Sequence, residues 1–231
     1  FYGLTSQGGG NDQGVLFEFD PTTNAYSKKL DFLGASNGAY PYASLVLFSN
    51  GKLYGTTDGG GSNGVGTLFE YDPTTNIYVK KIDFSNTEGS NPRCELTILN
   101  DKLFGLTYGG GANGLGVIFE YKPSTNEYAK KVEFNGTTMG ANPEGSLTLT
   151  SNGKLYGMTY GGGLNGMGVL FEYAPLTNTY VKKKDFSGNT TGENPFGSLV
   201  EYPSGKVYGM TYSGGANNKG VLFEYDLLMD T

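Results

Sequence analysis

A unit of roughly fifty residues recurs five times along this chain, and a period of that length restricts the fold to a solenoid, a propeller or an array in which each copy is one supersecondary unit. The unit is clearest at Gly51 to Phe84, GKLYGTTDGGGSNGVGTLFEYDPTTNIYVKKIDF. An aromatic precedes the first fixed glycine at Tyr2, Tyr54, Phe104, Tyr156 and Tyr208, and FEY or FEF returns in step at Phe17, Phe69, Phe119, Phe171 and Phe223. Copies that touch only their neighbours make residues 1–231 a single stacked domain, with repeats at about 1–50, 51–100, 101–152, 153–204 and 205–231.

Within each copy, alternation of apolar and polar residues marks four short β segments separated by turn chemistry. In the second copy these are KLYGTT (52–57), TLFEY (67–71), IYVKKIDF (77–84) and CELTIL (94–99). The glycine-rich loop 58–66 closes one hairpin. DPTTN (72–76) closes the next, with Pro73 pre-set for the second turn position and Asn76 able to turn left-handed. Helical periodicity is absent throughout. The expected fold is therefore all-β, a β-propeller of four-stranded antiparallel blades. Lysine pairs at 28–29, 80–81, 130–131 and 182–183 place the IYVKKIDF segment outermost, where lysines keep an edge strand from pairing with another chain. The ELTIL segments then line the axis. The first copy lacks its inner segment and the last its outer one, so the terminal blades are incomplete and the body is either a gapped five-blade ring or an arc of a larger propeller. Phe1 lies inside what every other copy makes a strand, so a preceding segment is expected, and no targeting signal is to be looked for in these residues.

Composition removes most chemistry. A net charge of -6, with Arg93 the sole arginine, offers no basic patch for nucleic acid. No apolar run approaches the roughly 18 residues of a membrane helix, so membrane insertion by this segment is not expected. Without histidine there is no Ser-His-Asp triad and no histidine metal site, and the lone Cys94 reads as a small buried hydrophobe. Calcium loops are absent, the glycine-rich loops lack the lysine and helix of a phosphate cradle, and no cofactor is expected. Asn135-Gly-Thr and Asn189-Thr-Thr match the glycosylation acceptor pattern, in a chain where Asn and Thr are abundant enough for chance matches. Paired carboxylates remain. Glu18, Glu70, Glu120, Glu172 and Glu224 recur in every copy beside the lysine-bearing strands, which suits cross-strand partners. The unrepeated Asp58, Glu88, Glu95, Glu144 and Glu193 are free to converge at the axis, although nothing in their spacing demands it.

Through LYGTT (53–57), GGGSNGVGTLFEY (59–71) and SNP (90–92), the unit resembles the GloVer-type tandem repeat of bacterial secreted proteins. It is also similar to the kelch repeat in its glycine doublet and its Y-D-P-x-T-N-x-Y segment. Kelch proteins carry tryptophan where this chain has Tyr26, Tyr78, Tyr128 and Tyr180, and the chain has none, so GloVer ranks first. The resemblance spans the whole chain. It implies a propeller, a secreted or cell-surface location, and no catalytic motif.

In an antiparallel meander the glycine-rich loops and the connections between copies emerge on one face, the candidate functional face. Two positions on it vary against the fixed framework: Ser6, Asp58, Tyr108, Tyr160 and Tyr212 open the glycine loop, and Tyr42, Arg93, Glu144 and Phe196 follow the turn proline. Variation of this kind describes a binding surface and tolerant loop positions equally. The candidate binding residues are thus Tyr42, Asp58, Arg93, Tyr108, Glu144, Tyr160, Phe196 and Tyr212, with no catalytic or metal residue. The expected function is a non-catalytic extracellular or cell-surface binding or scaffold propeller with a protein or glycan partner. The alternative is a carbohydrate-active enzyme, a hydrolase or lyase, using carboxylates near the axis.

Overall fold

Alternating side chains make the LYG and FEY segments two-faced strands, and both faces need covering, so the copies stack as blades. In the computed structural model, which describes residues 1–203 and 205–231, five antiparallel sheets follow one another along the chain. The first blade is β1 (Tyr2–Thr5), β2 (Val15–Asp20) and β3 (Ala25–Asp31). The second is β4 (Val46–Leu47), β5 (Leu53–Thr57), β6 (Thr67–Asp72) and β7 (Ile77–Asp83). The third is β8 (Thr97–Leu99), β9 (Lys102–Thr107), β10 (Val117–Lys122) and β11 (Glu127–Glu133). The fourth is β12 (Thr148–Leu149), β13 (Leu155–Thr159), β14 (Val169–Ala174) and β15 (Thr179–Asp185). The last holds β16 (Glu193–Pro195), β17 (Val200–Tyr202), β18 (Lys206–Ser213) and β19 (Leu222–Asp226). No helix occurs among the described residues. The fold is a β-propeller built from four-stranded blades.

The core lies between blades. Phe69, Phe119 and Phe171 are completely buried, each against the phenylalanine that closes the previous blade, with Phe84 and Phe119 centroids 5.3 Å apart. Each ring fits because the facing residue of the neighbouring strand is glycine: a Cβ on Gly105 would lie 2.4 Å from Cζ of Phe119. The buried glutamates enter the core with partners. Glu70, 5% exposed, accepts from the Tyr54 hydroxyl at 2.5 Å and pairs with Lys52 at 2.6 Å and Lys81 at 3.3 Å. Glu172 repeats the arrangement with Tyr156, Lys154 and Lys183. These recurring glutamates tie three strands of one blade together.

Three details differ from the strand pattern expected above. The inner strands are shorter: β8 begins at Thr97 rather than at residue 94, because Glu95 N donates to Ser146 Oγ of the next blade and Thr97 Oγ1 donates to Leu147 O. The inner segments are thus shared between neighbouring blades around the axis. A nineteenth strand, β16, extends the pairing at the loop end of β18, where earlier copies make only a single bridge such as Ser90 to Gly109. Finally, the doubled lysines are more than edge protection. The ladder shifts register by one between Ile118 and Phe119, so the bulge sends the two lysines to different partners: Lys130 to Glu133 three residues on, and Lys131 across to Glu120 at 3.8 Å.

Met210 and Leu222 are 63% and 72% exposed where their counterparts Met158 and Leu170 are 3% and 1%.

Candidate functional site

The loop face is tied together by pairing across copies. The connection leaving one blade runs beside the glycine-rich loop of the next, with Ala39 bridged to Gly59, Ser90 to Gly109 and Ala141 to Gly161. Both sets of longer loops therefore share one face, as the meander requires. An asparagine with positive φ sits two residues before each variable position of the second set: Asn91 (57°), Asn142 (55°) and Asn194 (53°). Its side-chain amide donates to the carbonyl of a variable residue of the first set, namely Asp58 at 2.9 Å, Tyr108 at 3.0 Å and Tyr160 at 2.9 Å. The backbone of the same asparagines reaches the following copy, since Tyr108 N donates to Asn91 O and Tyr160 N to Asn142 O, both at 3.1 Å. In the first copy Tyr40 replaces the asparagine, keeps φ at 57°, and accepts from Asp58 N.

All eight candidate residues converge. Tyr42, Arg93, Glu144 and Phe196, one from each successive connection, line a cavity of about 440 Å³. Beside it Tyr108, Glu144, Tyr160, Phe196 and Tyr212 enclose a second depression of about 320 Å³. Glu144 and Phe196 belong to both, so the two form one mouth. Tyr42, Phe196 and Tyr212 stand more than half exposed at its rim, at 59%, 57% and 71%.

Arg93 is the electrostatic centre. Its Nε donates to Asp58 Oδ1 at 2.8 Å, its Nη1 donates to Glu144 Oε1 at 3.0 Å, and its guanidinium lies 4.3 Å from the centroid of the Tyr108 ring. Burial works against the guanidinium charge, but Asp58 and Glu144 outweigh it and raise the pKa of Arg93. Burial raises the Glu144 carboxyl above the ordinary range although Arg93 pulls it down. Two carboxylates against one guanidinium leave the mouth with an excess of acceptors and a wall of tyrosine faces. Such a site can hold a neutral polyhydroxylated ligand by stacking and directed hydrogen bonds.

The other acids are more scattered. Glu95 is exposed beside the axis, Glu88 belongs to the connection after β7, and Glu193 lies in β16. Cys94 is buried; its thiol donates to Leu106 O at 3.0 Å and burial pushes its pKa up to about 12. It is an inert packing residue. The asparagine clamps were not singled out from sequence, although an Asn-Pro pair ahead of a variable residue was visible in three connections.

The fold is shared with proteins of remote sequence. The extracellular domain of the one-component system BT4673 from B. thetaiotaomicron superposes with a TM-score of 0.66 at 16% identity over 100% of this chain and 27% of its own. TolB from Acinetobacter baumannii gives 0.58 at 15% identity over 93% of this chain and 46% of its own. The nidogen/laminin complex gives 0.61 at 11% identity over 95% of this chain and 70% of the matched chain. The chain thus spans about a quarter and about half of the first two. No curated protein matches it. The kelch likeness is not carried by these comparisons. The profile of the Gloeobacter/Verrucomicrobia repeat matches residues 1–137 and 99–230, and the chain belongs to that family.

Proposed function

We propose that this propeller is a non-catalytic binding module of the bacterial cell exterior, and that it holds a glycan at the mouth of its axis. The carrying observation is the meeting of Tyr42, Tyr108, Tyr160, Phe196 and Tyr212 around the Asp58–Arg93–Glu144 network. Aromatic faces accept the apolar faces of sugar rings, while the ion-paired side chains keep lone pairs and N–H groups aimed at hydroxyls. The cavity lies within the roughly 300–1,000 Å³ range of small-ligand sites. The extracellular placement draws on the similarity to an extracellular domain.

The test is a glycan array followed by calorimetry on any hit, with the wild type and a Tyr108/Tyr160/Tyr212→Ala variant. Binding should vanish in the variant with the thermal midpoint nearly unmoved. Binding that survives the triple change, or a complex with the ligand against the DPTTN turns, would overturn the assignment.

A second reading, a glycoside hydrolase or lyase, draws on the burial-raised carboxyl of Glu144 in the mouth. It requires release of reducing ends or unsaturated sugars from a bound glycan, lost in Glu144→Gln. Its weakness is that Arg93 occupies the space between Asp58 and Glu144.

A further inference from the structure

The repeat sets Glu144 against Tyr160 as it sets Arg93 against Tyr108. Arg93 follows Asn91-Pro92 and Glu144 follows Asn142-Pro143, and the two asparagines share a left-handed φ of 57° and 55°. The Asn91 carbonyl accepts from Tyr108 N and the Asn142 carbonyl from Tyr160 N, both at 3.1 Å, and the bridges from Ser90 to Gly109 and from Ala141 to Gly161 are equivalent in the same way. What differs in this common frame is the side chain after the proline. In the first pair it is a cation, and its guanidinium lies 4.3 Å from the centroid of the Tyr108 ring.

In the second pair the cation is replaced by its counter-charge. Among the described residues no cationic group lies over Tyr160, and the side chain that starts from the place of Arg93 is a carboxylate. Glu144 commits Oε1 to Arg93 Nη1, while its Oε2 accepts no hydrogen bond among the described residues and stays open to the depression that Glu144 and Tyr160 line together. With both carboxylates ionised, Asp58 and Glu144 against Arg93 leave one negative charge uncompensated, and no lysine lines either part of the mouth. That excess goes further than a neutral ligand needs.

We propose that the place over Tyr160 receives an ammonium group of the ligand, so that the glycan held at the mouth is an amino sugar with its amine free. The proposal rests on the glycan reading above and narrows it. The ammonium lies over the Tyr160 ring as the guanidinium lies over Tyr108, and donates to Glu144 Oε2. A cation within about 6 Å of a tyrosine centroid is attracted by the negative face of the ring, the more so where water is excluded. The charge-assisted bond to the carboxylate is stronger than the one a neutral hydroxyl would make. An N-acetylated sugar brings a neutral amide to the same place and loses both terms, and an acidic sugar is repelled. A lysine side chain would carry the same ammonium but has no ring to lay against Phe196, the other aromatic that borders Glu144 in both parts of the mouth.

The test is calorimetry of the 231-residue chain with β-1,4-linked tetramers of glucosamine, N-acetylglucosamine and glucose, at fixed ionic strength and a pH that keeps the amine protonated. The glucosamine tetramer should bind at least about tenfold more tightly than the other two. That preference should be largely lost in Glu144→Gln and in Tyr160→Leu, and kept in Tyr160→Phe, which retains the ring face. Glu127→Gln removes an equal charge from an exposed side chain at the start of β11 and should leave the preference as it was. Equal or tighter binding of the N-acetylated or glucose tetramer would overturn the amine assignment and leave the glycan reading standing. Equal loss of the preference in Glu127→Gln, or a lysine tetrapeptide binding as tightly as the glucosamine tetramer, would also overturn it, because attraction of any polycation would then suffice. No affinity for the glucosamine tetramer would overturn it whatever the glycan array returns.

Discussion

Replacing Phe119 with alanine tests the inter-blade packing. The ring is fully buried, stacked on Tyr128 at 5.6 Å and set against Phe84 at 5.3 Å. Transfer of a buried phenylalanine side chain is worth ~1.5–3 kcal/mol. A residual void on the order of 100 Å³, at ~24 cal/mol per Å³, adds roughly 2 kcal/mol, and partial collapse keeps the total near 3–5 kcal/mol. The same change at Phe17 should cost about 1–2 kcal/mol, since Phe17 is only half-buried and its partner Tyr26 is 58% exposed. Urea unfolding followed by far-ultraviolet circular dichroism, with both variants fitted at unchanged m, gives the two differences directly. A loss below about 1 kcal/mol at Phe119, or equal losses at both positions, would refute the packing described for the blade faces.

Three further outcomes are expected. Arg93→Lys keeps the charge but loses the forked donors to Asp58 and Glu144 and the contact with Tyr108, so ligand binding should fall at least tenfold in calorimetry. Glu144→Gln removes a carboxylate whose ionisation the folded state disfavours, so the thermal midpoint should hold or rise while binding falls; a drop beyond roughly 3 °C, about 1 kcal/mol here, would contradict this. Burial opposes ionisation of Glu70 and Glu172, yet their lysine and tyrosine partners prevail and hold both below the ordinary value of 4.5. Their contribution is therefore complete above that pH and is lost as pH falls through the folded values. Acid titration of the thermal midpoint should show a decline below about pH 4.5 that flattens in the Glu70→Gln/Glu172→Gln variant.

The blades were legible because their determinants are local. A glycine opposite a phenylalanine, a proline-opened turn and period-two alternation each act within a few residues of where they are read. The candidate positions were legible because Asp58, Tyr108, Arg93 and Glu144 interrupt an otherwise repeated text. What Arg93 does was hidden, since its partners lie 35 and 51 residues away and no pattern in one copy encodes a contact with two others. Inner-strand length was hidden for the same reason: Ser146 of the next copy takes the amide hydrogen bond that would have extended β8. The second role of the paired lysines depended on a bulge, and the side-chain alternation that reveals a strand does not announce an extra residue in it.

The tyrosine hydroxyls that reach from Tyr78, Tyr128 and Tyr180 into the preceding blade all point towards the N-terminus. Among the described residues, no side-chain hydrogen bond spans more than 52 positions. A chain emerging from a ribosome would therefore meet each new outer strand's acceptor already in place, and would never wait for sequence more than about one repeat ahead. The sequence separation that any contact must close is therefore set by a single copy rather than by the length of the array.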